Sequence, residues 1–280
     1  MEKTLLVNDF LFVSKLTYGP RIPNTPLAVP FVHHTIPGLN VKSYSEAIYI
    51  PYTRWFPEPV KRNDVVVFNF PAGDTLTKER DSQDPYYDIL RREEAMVGNK
   101  EQARQNIWDQ YTITTRPVDK RENYIKRCVA IAGDTLQIKD GILYVNNSKS
   151  PVPPHSATDY FVKTSRIIGE DELRDAGISL NTDEQSPDFD LAGNNAYRIN
   201  LTESEAEILR KIQGVDSVVR EIQGNYGGVF PYDKNFNWSI DNFGPLWIPK
   251  KGATIQLTPA NVTLYKRAIR VYENNEWEER

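Results

Sequence analysis

The segment Tyr124-Ile125-Lys126-Arg127-Cys128-Val129-Ala130 concentrates residue types that could do chemistry. Read as a strand, its period-two alternation puts Tyr124, Lys126, Cys128 and Ala130 on one face and Ile125, Arg127 and Val129 on the other. No carboxylate shares the Lys126 face. Two readings of that lysine stand side by side. A solvated lysine on an outer face is the commoner arrangement, because lysine is almost never fully buried. It would also turn Tyr124 and Cys128 outward, although free cysteine is among the most buried residue types. A lysine taken out of water instead loses its preference for the charged form, and its neutral amine can then act as a general base. On this second reading Lys126 is predicted to be buried, with Lys120 and Lys139 facing solvent. The other reactive types are sparse. Cys128 is the single cysteine, His33 and His34 are adjacent and His155 stands alone. No disulfide framework, Cys-based zinc cage or i, i+4 histidine pair can be built from these, so neither a metal nor another cofactor is expected. His33-His34, in a proline-rich stretch, read as incidental surface residues.

The elements that must position Lys126 are mostly strands. Residues 62–71, RNDVVVFNFP, form a compact apolar run bounded by Asn63-Asp64 and Pro71, which predicts a buried strand. Downstream of Lys126, Asp140-Gly141 between LQIK and ILYVN predicts a type I′ hairpin. Residues 5–18, LLVNDFLFVSKLTY, read as two short strands meeting near Asn8-Asp9. Eight prolines between Pro20 and Pro59 forbid a helix there and predict a stiff surface excursion. At 85–110, Tyr86, Leu90, Ala95, Ile107 and Trp108 lie among Arg, Glu and Gln, which predicts one or two polar helices. A short helix is expected over 169–176, and another from Thr202, where Thr202 and Glu205 form a capping box, up to Gly214. Residues 236–250 read as a turn-rich aromatic stretch, followed by a turn and then a helix or strand. AGDTL occurs at 72–76 and 132–136 with unlike flanks, which is recurrent turn chemistry rather than a repeat. The fold class expected is mainly β with helical insertions. Residues 1–147 form the β-rich core with an insertion at about 72–120. Residues 148–280 form a second insertion or cap of mixed α and β, cut short at its end.

The lysine segment and its surroundings resemble a known family. YIKRCVAIAGD is similar to the lysine box Y-I-K-R-x-V-x-x-x-G-D of type I signal peptidases, membrane-anchored Ser/Lys proteases that remove secretory signal peptides. Arg62-Asn63-Asp64-Val65-Val66-Val67-Phe68 resembles the preceding box, R-G-D-x-V-V-F, with Asn63 in place of glycine. Met1-Glu2-Lys3-Thr4-Leu5 resembles the start of the nucleophile box, S-M-x-P-T-L, with Lys3 where proline is usual. NDFLFVSKLTYGPRIPNTPL resembles the segment just downstream of that box in signal peptidases of the Bacteroides type. The family's fold is a β-ribbon or barrel catalytic domain. By resemblance Lys126 is the catalytic base, Met1, Leu5, Val67 and Ile125 line substrate pockets, and Arg127 and Tyr124 support the lysine strand. Arg127 would pair with an acid of the family's last box and brace that strand. The family's serine immediately precedes the methionine aligned with Met1. The last box, G-D-N-x-x-S-x-D-S-R, is not intact; Ser239-Ile240-Asp241-Asn242-Phe243-Gly244 echoes it. The chain is therefore expected to be an inactive fragment, without its membrane anchor and serine at one end and without the last conserved strand at the other. The resemblance implies signal peptides of secretory preproteins as partners and a bacterial inner membrane location with the catalytic domain on the periplasmic face.

Composition bounds the alternatives. Lys plus Arg total 34 against 38 Asp plus Glu, for a net charge of −4 over 280 residues, which argues against a nucleic-acid partner because phosphate binding needs a basic surface. No run approaches the roughly 18 apolar residues of a membrane span, so the chain as given is expected to be soluble. A self-cleaving repressor with a Ser/Lys dyad on a related β fold would need a DNA-binding helical domain. A non-catalytic β-rich module that binds peptide or glycan through its aromatics, 11% of the residues, remains the alternative from another class.

Overall fold

The computed structural model describes residues 3–5, 9–39, 41–80, 83–181, 187–224, 228–273 and 275–278. The chain divides into two units, one of residues 11–129 and one of residues 1–10 and 130–280.

In the unit of residues 11–129 the prolines limit pairing to a minimal ribbon, β1 (Thr35–Ile36) against β2 (Val41–Lys42), and to isolated bridges Arg21↔Arg54 and Ala28↔Tyr44. The segment is more than a surface excursion, because Asn24, Thr25, Ser43 and Tyr44 are buried. Thr25 donates from both its N–H and its hydroxyl to Asp119 Oδ2, at 3.0 and 2.9 Å, and Asn24 Nδ2 donates to the Ile50 carbonyl. The strands expected over 5–18 do not form across 9–18, where Phe10 and Phe12 stand fully exposed; residues 6–8 lie outside the described residues. Alternation supplies strand propensity, but a strand exists only where another chain segment completes its ladder.

Next come β3 (Val65–Asn69), β4 (Thr75–Thr77), α1 (Tyr86–Val97), α2 (Lys100–Gln110), β5 (Ile113–Thr115) and β6 (Asn123–Arg127). The two polar helices form as expected. Gly98, at φ 74°, ends α1 in the left-handed conformation that glycine adopts freely, and the Asn99 side chain caps α2 by accepting from the N–H groups of Glu101 and Gln102. Tyr86, Ile89, Leu90, Ala103 and Ile107 form the apolar seam between the helices. β4 and β5 pair antiparallel, Thr75↔Thr115 to Thr77↔Ile113, and close the base of this helical insertion.

The second unit begins with β7 (Thr135–Lys139), β8 (Ile142–Val145) and β9 (Ser148–Lys149). Asp140 and Gly141, at φ 48° and 70°, make the predicted type I′ turn between β7 and β8. The long strand β10 (Ala157–Thr164) is followed by α3 (Glu170–Asp175), β11 (Phe189–Gly193), β12 (Ala196–Thr202), α4 (Glu203–Leu209), β13 (Val215–Arg220), β14 (Phe243–Trp247) and α5 (Val262–Arg267). These strands build two four-stranded sheets, in the orders β14-β7-β8-β9 and β11-β12-β10-β13. The second sheet and helices α3 and α4 enclose the larger core: Val162, Leu173, Ile199, Leu201, Ala206 and Leu209, with Tyr160, Tyr197 and Val218 around them. Strand β14 replaces part of the expected aromatic turn. Gly244 and Pro245 hid it, and a register shift between Phe243 and Leu246 absorbs them. In both AGDTL segments the aspartate precedes the first threonine of a strand, Thr75 of β4 or Thr135 of β7, consistent with shared turn chemistry. The architecture is mainly β, in small sheets with helical insertions, and no barrel closes among the described residues.

The hairpin turn is braced from behind. The Gly141 N–H donates to the Asp241 carbonyl at 2.8 Å, and Arg220 Nη2 donates to the Gly141 carbonyl at 2.9 Å. A Cβ on Gly141 would lie 2.6 Å from Arg220 Nη2 and 2.8 Å from Asp241 Oδ1, in a backbone conformation that costs an L-residue about 1–2 kcal/mol. Gly141→Ala is therefore expected to lower unfolding free energy by about 1–3 kcal/mol, read from urea denaturation. A loss within error of zero would mean that the turn is not held against Arg220 and Asp241.

Candidate active site

Strands β3 and β6 form an antiparallel ribbon in the register Val65↔Arg127, Val66↔Lys126, Val67↔Ile125, Phe68↔Tyr124 and Asn69↔Asn123. The two sequence boxes are thus laid side by side, residue for residue. Opposed residues share a face, so Val66, Phe68, Tyr124 and Lys126 lie on one side and Val65, Val67, Ile125 and Arg127 on the other. The ribbon is secured at one end by the turn 61–64. Asn63 sits at φ 72°, the left-handed region open to glycine and tolerated by asparagine, which explains why asparagine can stand where the resembled box has glycine. The Asn63 N–H donates to the Cys128 carbonyl at 2.7 Å, and the Cys128 N–H to the Asp64 carbonyl at 2.8 Å. Asp64 Oδ2 accepts the Lys61 N–H at 2.9 Å and the Tyr18 hydroxyl at 3.0 Å. Desolvation and the Asp64 carboxylate raise the Tyr18 phenol above its ordinary value, so it remains a donor. Arg127 Nη1 donates to the Asn63 carbonyl at 3.1 Å, and so braces the lysine strand through this turn.

Several expectations are corrected by this geometry. The 62–71 strand forms, but it is not buried: Val65, Val67 and Phe68 are exposed. Lys126 is exposed rather than buried, and Tyr124 is turned outward with it, its ring stacked on Phe70 at 4.5 Å. The physical reason is the width of the ribbon. Two strands alone cannot enclose either of their faces. Lys139 is exposed as expected, whereas Lys120 is buried. Lys120 lies in a 3-10 turn over Val118–Lys120, and its ammonium sits 5.3 Å from the centre of the Tyr44 ring, a cation–π contact that keeps a charge tolerable there.

The remaining site residues belong to the other unit. Met1 lies outside the described residues. Leu5 is half-buried, and beside it Thr4 Oγ1 donates to the His155 carbonyl at 3.3 Å. The echo of the last box, 239–244, supports the hairpin: Asn242 Oδ1 accepts the Asp140 N–H at 3.1 Å, Asp241 Oδ2 accepts the Gln223 N–H at 2.7 Å, and Ser239 is fully buried. The histidines do more than a surface pair would. His34 Nε2 lies 3.3 Å from Glu122 Oε1, the buried Arg116 reaches both His34 and Glu122, and His33 Nε2 lies 3.1 Å from the Arg121 carbonyl. Glu122 directly precedes β6, so this network holds the start of the lysine strand. Sequence reasoning missed it because Arg116 and Glu122 meet His34 only in space. A small cleft lined by Phe70, Gly73, Leu76, Pro85, Arg116, Glu122 and Tyr124 opens nearby. Among the described residues no cluster of His, Cys, Asp or Glu could hold a metal ion.

A family model described as "Signal peptidase, peptidase S26" matches residues 1–190, a span that includes the Met1–Leu5 segment, β3 and β6. The chain belongs to the signal peptidase family, peptidase S26. No curated protein and no solved structure is matched. As a signal peptidase family member the chain is a serine endopeptidase type acting on signal peptides, and its paired lysine and Asp64 boxes lie inside the matched span. The family is typically membrane-associated, and among the described residues no helix is long and apolar enough to cross a membrane.

Proposed function

We propose that the chain carries the base of a Ser/Lys dyad, Lys126, in a peptidase that removes signal peptides from secretory preproteins at a bacterial inner membrane. The observation that supports it best is the in-register pairing of the two boxes, with Lys126 opposite Val66. Neutral Lys126 takes the proton from the serine hydroxyl as the oxygen attacks the scissile carbonyl. The resulting ammonium protonates the leaving amine, and Lys126 then deprotonates the water that hydrolyses the acyl-enzyme. Met1, Leu5, Val67 and Ile125 line the pockets for small substrate side chains, and Tyr124 and Arg127 hold the lysine strand.

Because Val67 and Ile125 oppose each other directly, a substrate strand adds along an outer edge of the ribbon rather than between its strands. Cross-strand bonds from the Cys128 N–H to the Asp64 carbonyl and from the Phe70 N–H to the Glu122 carbonyl mark the even-numbered residues as hydrogen-bonded pairs. The backbone groups of Val65, Val67, Ile125 and Arg127 therefore point outward, where an extended peptide can bond to them. Laid along β6, that peptide also covers the exposed Lys126 amine.

The serine of the nucleophile box aligns immediately before Met1. A polypeptide of residues 1–280 is accordingly expected not to cleave a secretory precursor after an Ala-x-Ala sequence. The same polypeptide joined to a serine and membrane span of the family's kind ahead of Met1, and to the family's last box after Arg280, is expected to cleave it. Gel assays of precursor processing read both. Cleavage by 1–280 alone would show the serine to be misplaced, and failure of the extended chain would leave the non-catalytic peptide-binding module as the better account.

A further inference from the structure

The nucleophile-box segment is held by a buried ion pair that joins residues 202 positions apart. Lys3 Nζ donates to Glu205 Oε2 at 2.9 Å and to the Ser179 carbonyl at 2.6 Å, with the two charged side chains only 9% and 11% exposed. Glu205 is already committed to its own surroundings. Its Oε2 accepts the Thr202 N–H at 2.8 Å within the capping box of α4, and its Oε1 accepts the Ser179 N–H at 2.9 Å. Burial by itself pushes the Glu205 carboxyl up; the Thr202 N–H, the Lys3 ammonium and the Ser179 N–H together outweigh it and hold the group below the usual carboxylate range. The anion is therefore maintained, and Lys3 meets a fixed partner rather than a mobile surface acid.

The backbone fits this role. Lys3 has φ 54°, which proline, locked near about −65°, cannot adopt. The departure from the resembled box at this position is thus the one that lets the chain turn its side chain into the Glu205 pocket. Thr4 adds a second tie through the His155 carbonyl.

We infer that Lys3 and Glu205 are positioning residues that fix the nucleophile box on Ser179 and the start of α4, so that the family's serine is presented in a single geometry. The inference rests on the dyad reading above. Serine attack is sensitive to displacement, and a misplacement of about 1 Å can cost roughly 10²-fold in rate. Lys3 acts through the segment it anchors, so its loss lowers kcat.

Hydrogen exchange of residues 1–280 tests the anchor without reference to activity. Lys3→Ala is expected to speed exchange in residues 3–5 while the amides of β10, β12 and β13 keep their protection. In the serine-bearing extended chain, Lys3→Ala and Glu205→Gln should each lower kcat by roughly 10²-fold, Lys3→Arg should recover most of the loss, and the double variant should be no worse than either single one. Unchanged exchange in Lys3→Ala would show that the ion pair anchors nothing and would overturn the inference. If exchange rises, Lys126→Ala is inactive and Lys3→Ala keeps the parent kcat, the dyad reading stands and the positioning role fails. If Lys126→Ala is as active as its parent, the dyad reading itself is wrong.

Discussion

Lys126→Ala and Lys126→Arg, introduced into the serine-bearing extended chain, are each expected to reduce precursor cleavage by at least about 10²- to 10⁴-fold, the range typical of losing a general base. Arginine fails because its guanidinium stays protonated, and alanine removes the base outright. The ribbon geometry predicts that neither change unfolds the protein. Lys126 is exposed on β6, so its truncation strands no buried partner, and the cost to stability should fall within about 0.5 kcal/mol, as for an ordinary surface substitution. Lys149→Ala, on an exposed two-residue edge strand, is the control and should process precursor at the parent rate. Initial rates of processing alongside thermal melts separate the two effects. Processing by Lys126→Ala at the control's rate would mean that Lys126 is a structural strand lysine and that no dyad operates through it.

The larger effect on stability is expected at Leu209. This side chain is 0% exposed at the end of α4, in the core shared with Leu173, Ile199 and Leu201. Leu209→Ala should lower unfolding free energy by about 2–5 kcal/mol, combining lost burial with the cavity left behind. Its neighbour Ile208, 36% exposed, points away from that core because successive helical side chains differ by about 100°. Ile208→Ala should cost much less, about 0.5 kcal/mol, since alanine's better helix propensity offsets part of the lost contact. Urea denaturation of both variants decides the matter. Equal losses would mean that α4 does not pack on the sheet through its Leu209 face.

Local signals in the chain were enough for the elements whose causes are local. Asp140-Gly141 dictates a type I′ turn because few other residue pairs tolerate two positive φ angles, and the hairpin forms around it. Thr202 and Glu205 satisfy each other's backbone groups three residues apart, and α4 starts there. The spacing of apolar residues among Arg, Glu and Gln separated the helical insertion from the strands around it. The lysine and Asp64 boxes were legible too, since their residue order carries the family resemblance that the match over 1–190 supports.

Burial and long-range pairing were decided elsewhere. Whether 62–71 and 124–128 lie inside or outside depends on how many layers stack on them, and a two-stranded ribbon leaves Lys126 and Val67 open whatever their hydropathy. Lys120 went the other way because Tyr44, far upstream in the proline-rich segment, offers it a ring face. The residues 9–18 have strand composition and no strand, for want of a ladder partner. β14 forms across Gly244 and Pro245 because β7 accepts it. His34 with Glu122 and Arg116, and Lys3 with Glu205, could not be read from spacing, because side chains far apart along the chain acquire each other's charge only once folding has removed the water between them. Turns, caps, helices and family boxes were readable from residue order because their energetics are settled within a few residues. Which faces are dry and which charges are partnered came from the folded chain alone, since both depend on what distant segments bring alongside.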